Sequence, residues 1–150
     1  MVNDASANTQ WELGAPSGTT GPLTGAGQSL NAWSTNLGDY GTDSDVSLFS
    51  PSLDFSGIPG AELTFDAFRD ADGFADIASV RLLRAADEVQ LGDAVDIDMT
   101  IFDTDWTTIE LPVDPAALGE TIIIEFNFTS DSSPDAFSGL SIDDVSISAN

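Results

Sequence analysis

The chain offers one kind of reactive group in quantity. Its 26 aspartates and glutamates face three arginines, Arg69, Arg81 and Arg84, and it has no lysine, histidine or cysteine. That inventory excludes Ser-His-Asp and Cys-His nucleophilic machinery and zinc sites built on His or Cys. It also excludes Schiff-base chemistry and the lysine of a phosphate-binding loop. Carboxylate chemistry is what remains. Glycosidase-type hydrolysis needs two acids held about 5–10 Å apart, one of them with a raised pKa, and sequence spacing singles out no such pair. The other use of carboxylates is to hold a hard cation. Calcium takes about six to eight oxygens from carboxylates, carbonyls and water.

Two acidic stretches invite that reading. Asp70-Ala71-Asp72-Gly73-Phe74-Ala75-Asp76 echoes the start of an EF-hand loop. Its fifth position is Phe74, however, and its twelfth is Arg81, where a bidentate glutamate belongs. The stretch reads as a hairpin loop between two strands, with a loop-borne calcium site as the alternative. Asp93, Asp96, Asp98, Asp103 and Asp105 alternate with Val95, Ile97, Met99 and Ile101. They read as an exposed acidic strand face or long loop, which discourages strand addition from other chains. Trp11, Trp33, Trp106 and Tyr40 could stack on sugar rings, but Trp33 within a strand and Trp106 just before one point to core or rim packing. Phe74, Phe102 and Phe137 fall in loops. A glycan site would be built from such loop aromatics with Asp or Asn as hydrogen-bond partners.

The elements that must position these groups are short. Gly, Pro, Ser, Thr and Asp punctuate the chain at brief intervals, the pattern of strands joined by turns. Residues 1–10 read as a flexible lead-in, and 11–150 as a single domain. Strands are expected at 11–13, 29–36, 46–50, 62–67, 77–84, 89–95, 106–111, 121–128 and 140–148. Leu63, Phe65 and Ala67 share one face of their strand, and Ile122, Ile124, Phe126 and Phe128 share one face of theirs. The parity change between Ile142 and Val145 calls for a bulge at Asp143-Asp144. Residues 112–119 form a turn with one helical turn near 116–118. Strands with one polar face each call for a two-layer antiparallel sandwich.

Length and charge bound the rest. A chain of 150 residues, 41% of them apolar, makes one domain with its own core. The formal net charge of −23 disfavours nucleic acid and anionic membrane surfaces as partners. It calls for salt or bound cations to screen self-repulsion. No apolar run reaches the length of a membrane span. The opening MVNDASANTQ has neither a basic n-region nor an apolar h-region. It reads as the start of an excised module whose secretion signal lies elsewhere.

A family likeness lies in the order of several segments. These are Trp11-Glu12-Leu13-Gly14-Ala15-Pro16, then residues 31–40 (NAWSTNLGDY), then residues 48–56 (LFSPSLDFS) leading into Ala61-Glu62-Leu63-Thr64-Phe65. Trp106 then precedes Ile109-Glu110-Leu111, and Gly139-Leu140-Ser141-Ile142-Asp143-Asp144-Val145 closes the series. Together they resemble the MAM-like jelly-roll modules of bacterial secreted proteins, including those appended to immune-inhibitor-A-type metalloproteases. The resemblance implies a concanavalin-like or galactose-binding-like jelly roll, with a structural calcium ion in many members. It also implies a first-strand acid meeting a last-strand acid near the loop after the second strand. Here those positions are Glu12, Asp143 or Asp144, and the group Asp39, Asp43 and Asp45.

The sequence therefore predicts an all-β jelly roll, calcium-stabilised through Glu12, Asp39, Asp43, Asp45, Asp143 and Asp144. The expected role is a non-catalytic, extracellular adhesion or ligand-binding module whose partner is a glycan or a cell-surface protein. A carbohydrate-binding module appended to a polysaccharide-active enzyme is the first alternative, and a structural subunit of a surface layer or filament is the second.

Overall fold

The computed structural model describes residues 2–4 (backbone), 8–134 and 136–150. Within them eleven strands run in order: β1 (Val2–Asp4), β2 (Trp11–Gly14), β3 (Ala32–Thr35), β4 (Asp45–Phe49), β5 (Leu53–Asp54), β6 (Ala61–Asp70), β7 (Ile77–Arg84), β8 (Val95–Ile97), β9 (Thr107–Pro112), β10 (Thr121–Thr129) and β11 (Gly139–Ala149). One 3-10 turn, Pro115–Ala117, separates β9 from β10, and the Asp114 carboxylate caps it by accepting from the Ala116 N–H. Two antiparallel sheets result. One has the order β1-β4-β10-β7-β8, with β5 also on β10, and the other has β2-β3-β11-β6-β9. This is the expected two-layer all-β sandwich.

Alternation explains the layers. On β10, Ile122, Ile124, Phe126 and Phe128 are all buried, and on β6 so are Leu63, Phe65 and Ala67. Their rings meet between the sheets, with Phe65 edge-on to Phe126 at 5.1 Å. Such pairs add to the transfer of apolar area out of water that drives the sheets together. Trp11 is buried and its indole N–H donates to the Val46 carbonyl at 3.3 Å. Tyr40 packs edge-on to Phe128. Trp106 packs edge-on to Phe68 on the outer side of the five-stranded sheet. The tryptophans and the tyrosine are thus packing residues, as expected of Trp33 and Trp106. Trp33, half-buried, stands at the side of the sandwich.

Four details differ from the sequence reading. Residues 2–4, within the expected lead-in, pair with β4 in the register Val2↔Leu48; residues 1 and 5–7 lie outside the described residues. The weak strand expected over 89–95 appears instead at Val95–Ile97, with one isolated bridge from Gln90 to Leu83. Gly92, at φ 75, turns the chain out of the extended conformation between them. The 70–77 connection is not a hairpin, because β6 and β7 belong to different sheets and the loop crosses the end of the sandwich. The acidic stretch is not wholly exposed, since Asp103 is held inside the loop end by Arg69. The bulge is found where the parity change put it: the β11–β6 register shifts between Asp143 and Ser146, and Asp144 has φ 47.

Candidate functional site

One end of the sandwich gathers the loops that carry unassigned chemistry: 71–76, 98–106, 130–138 and 39–44. Their anchor is a carboxylate cluster. Asp72, Asp76 and Asp131 each place an oxygen so that all three atoms lie within 4.8 Å of one another. Among the described residues this is the group of three or more acids able to share an ion.

Each member is held locally. Asp72 Oδ1 accepts from the Phe74 N–H at 2.9 Å, a turn in which the aspartate caps its own loop. Asp131 does the same for the Ser133 N–H at 2.8 Å. Asp76 is buried; it accepts from the Tyr40 hydroxyl and, at 3.0 Å, from the Asp131 N–H. The Asp43 N–H in turn donates to the Asp131 carbonyl at 2.7 Å.

Charge gives this cluster its meaning. At an effective dielectric near 20, two like charges about 4 Å apart repel by about 4 kcal/mol. No arginine relieves the repulsion, because Arg69 pairs with Asp103, Arg81 with Glu125, and Arg84 with Asp87 and Glu120. An all-oxygen donor set of hard carboxylates suits a hard cation and does not suit zinc. Oxygens already accepting one hydrogen bond keep a lone pair for an ion.

The six acids expected to bind calcium are placed elsewhere. Glu12 accepts from the Leu37 N–H at 2.7 Å and from the Gln10 side chain at 2.9 Å. Asp39 takes the Thr19 N–H and hydroxyl at 2.7 and 2.6 Å. Asp45 accepts from the Asn127 amide at 2.9 Å. Asp143 holds the Ala26 N–H at 2.9 Å and the Asp144 N–H at 2.9 Å, and Asp144 itself is exposed. Asp43 is exposed beside the cluster and touches it only through its backbone. None of the six belongs to the three-carboxylate group. The first-strand and last-strand acids tie down loops across the outer face of the five-stranded sheet. The signal that could have found the cluster was in the Asp70–Asp76 stretch, but its partner Asp131 is remote in sequence.

The same end displays aromatic surface. Phe74 is 95% exposed and Phe102 is 53% exposed. Phe102 meets Phe137 at 5.8 Å with tilted rings. A methyl group on Gly73 would lie 3.8 Å from Phe102 Cε2, so the Phe74 loop adjoins that pair. The Tyr40 N–H donates to the Phe137 carbonyl at 3.2 Å, while its hydroxyl reaches Asp76. One tyrosine thus links the aromatic patch to the acidic cluster. The loop phenylalanines singled out in the sequence are brought together. Asp98, on the neighbouring loop, is held below the usual carboxylate range by hydrogen bonds from the Thr100 side chain and backbone.

No family model matches the chain, and no curated protein does. Solved structures do share its fold. The K1 cleaved adhesin domain of Lys-gingipain from Porphyromonas gingivalis W83 superposes with a TM-score of 0.64 at 21% identity, covering 100% of this chain and 90% of that one. A carbohydrate-binding module from Cellvibrio mixtus lichenase 5A, in complex with cellotriose, gives 0.54 at 12% identity, covering 99% and 90%. The enzymatically active domain of tailspike protein 4 of bacteriophage CBA120 gives 0.60 at 15% identity, covering 100% of this chain but only 19% of that chain. The chain therefore spans about a fifth of that protein and nearly the whole of the adhesin and carbohydrate-binding domains. At these identities the likeness establishes the class of fold, a jelly-roll sandwich.

Proposed function

We propose that the chain is a non-catalytic, calcium-stabilised binding module of a larger extracellular protein, MAM-like in sequence, which takes a neutral glycan at the loop end of its sandwich. The observation that carries this reading is the joining of exposed Phe74 and Phe102, with the partly buried Phe137 against Phe102, to the Asp72-Asp76-Asp131 cluster through Tyr40. Exposed aromatic faces stack on the apolar face of a sugar ring, and neighbouring carboxylates accept from its hydroxyls. Calcium at the cluster would neutralise the repulsion and fix the loop that presents Phe74, since that loop supplies two of the three acids. The charge of −23 favours an uncharged ligand over an anionic one. The adhesin and carbohydrate-binding neighbours support a binding role.

Affinity electrophoresis through gels containing neutral polysaccharides tests the ligand. Retardation by at least one polysaccharide is expected, lost in Phe74→Ala and retained in Trp106→Ala. An unretarded wild-type protein on every gel removes the sugar reading. A cell-surface protein partner, the second reading, is favoured by the adhesin likeness and would then be sought by binding to whole cells.

A further inference from the structure

The sandwich has a window in one long side. In the six-stranded sheet, the described residues of β1 cover β4 over Val46–Leu48. In the five-stranded sheet, β3 covers β11 only at Ser141 and Ile142. Strands β1 and β2 touch, so these two incomplete edges lie on one side of the molecule. A cavity of about 540 Å³ opens between them, lined by Trp33, Phe49, Leu53, Ile142, Val145 and Ile147 among others. Among the described residues of its lining, Ser50 and Ser146 are the polar ones and none is charged. Its volume lies within the range of sites that enclose a ligand group.

The rim of the window is a bare strand edge. Residues 146–149 pair with β6 on one side, from Ser146↔Thr64 to Ala149↔Ala61. On the other side no described backbone group pairs with them. This run, Ser-Ile-Ser-Ala, has no charge, proline or glycine, in a chain where acids are everywhere. Proteins ordinarily blunt such an edge, because its free N–H and C=O groups template another strand. Across the window the edge following β4 is blunted by Pro51, which has no N–H to give. Among the described residues, the β11 side is the open one.

We propose that an extended segment of another polypeptide adds to the edge of β11 beside Ser146–Ala149 and seats an apolar side chain in the cavity. Strand addition of this kind takes its affinity from main-chain hydrogen bonds and its specificity from pockets for alternate side chains. Charge defines the flanks of the partner. Asp143 and Asp144 adjoin one end of the edge, and Asp54 adjoins the lining residue Leu53. All three arginines are committed elsewhere, so none offsets these acids. The segment is therefore apolar at alternate positions and basic at its ends. A second copy of this chain does not fit, because it would bring two charges of −23 together and offers no uncommitted basic residue to the flanking acids. An alkyl chain would fill the cavity and leave the edge unpaired.

The probe is a synthetic peptide of alternating valine and threonine with a lysine at each end, titrated into the isotopically labelled chain. At a tenfold excess over Kd, amide exchange at edge positions within 146–149 slows about tenfold, and the Trp33 indole resonance shifts. Val145→Asp, a substitution at a partly exposed position, abolishes binding while keeping the thermal midpoint. The proposal is overturned by absence of binding up to millimolar peptide, by binding without protection of 146–149, or by decanol occupying the cavity where the peptide does not. None of these outcomes bears on the loop end, so the glycan reading stands or falls separately.

Discussion

Arg69 and Asp103 form an ion pair buried on both sides. The guanidinium bonds both carboxylate oxygens, at 2.8 and 3.0 Å, and the Arg69 N–H adds a third bond at 2.8 Å. The two side chains are only 10% and 6% exposed. Asp103→Ala strands a buried cation in one of three arginines that the chain possesses. The expected cost is about 3–5 kcal/mol, a fall of about 10 °C in the melting midpoint at this size, read by circular dichroism. Asp98 makes a gentler prediction. Thr100→Val removes the largest cause of its lowered pKa, so its titration by NMR moves up toward the ordinary carboxylate value. The sign follows from linkage. A carboxyl whose pKa is depressed by folding stabilises above its unfolded pKa, and that contribution is lost as pH falls through the folded value. The variant loses the side-chain share of it at neutral pH too, while the Thr100 N–H keeps its own.

At the scale of the elements, tight positions decide more than average propensity. Gly139 opens β11 at φ 80, and a methyl group there would lie 2.1 Å from Thr35 Oγ1. That hydroxyl accepts from the Leu140 N–H at 3.0 Å and is itself buried. Gly139→Ala is therefore expected to cost more than the roughly 1–3 kcal/mol of backbone strain alone, as measured by urea unfolding. Most of the elements could be read from the sequence because alternation reports burial directly. Ile122 to Phe128 and Leu63 to Ala67 named their inward faces, and the Ile142–Val145 parity change named the bulge. The failures share a cause. Whether the chain after Asp70 turns back as a hairpin or crosses to the other sheet is settled by which strands pair, and neighbouring sequence does not encode that choice. Val2–Asp4 is a strand only because β4 offers it an edge.

The whole molecule is governed by its charge. At −23, repulsion among surface carboxylates opposes the folded state, and screening shortens its reach from about 10 Å at 0.1 M to about 3 Å at 1 M salt. The melting midpoint is expected to rise steadily with sodium chloride over that range. Calcium should act on top of this. At fixed high ionic strength, a hundredfold excess over Kd adds about 2.7 kcal/mol, or a rise of roughly 5–10 °C, against the same buffer with chelator. Asp131→Asn should remove that increment. Glu12→Gln should keep it, since Glu12 lies outside the carboxylate cluster and serves Leu37 and Gln10. A salt response without a calcium response would mean that diffuse screening is all the cations do.

Composition and alternation by themselves determined the layer architecture, the inward faces, the bulge and the absence of His, Cys and Lys chemistry, because each depends on residue type and local period alone. They also marked Phe74, Phe102 and Phe137 as loop residues. Which acids become neighbours was decided only by tertiary structure. Asp72 and Asp76 meet Asp131 because the β6–β7 crossing and the segment after β10 end on the same rim, some 55 residues apart in the chain. Glu12 and Asp143, equally acidic, fall beside backbone donors and become loop fasteners. A carboxylate's role follows from what faces it, and in a chain with 26 of them the sequence supplies candidates everywhere while the fold supplies the neighbours.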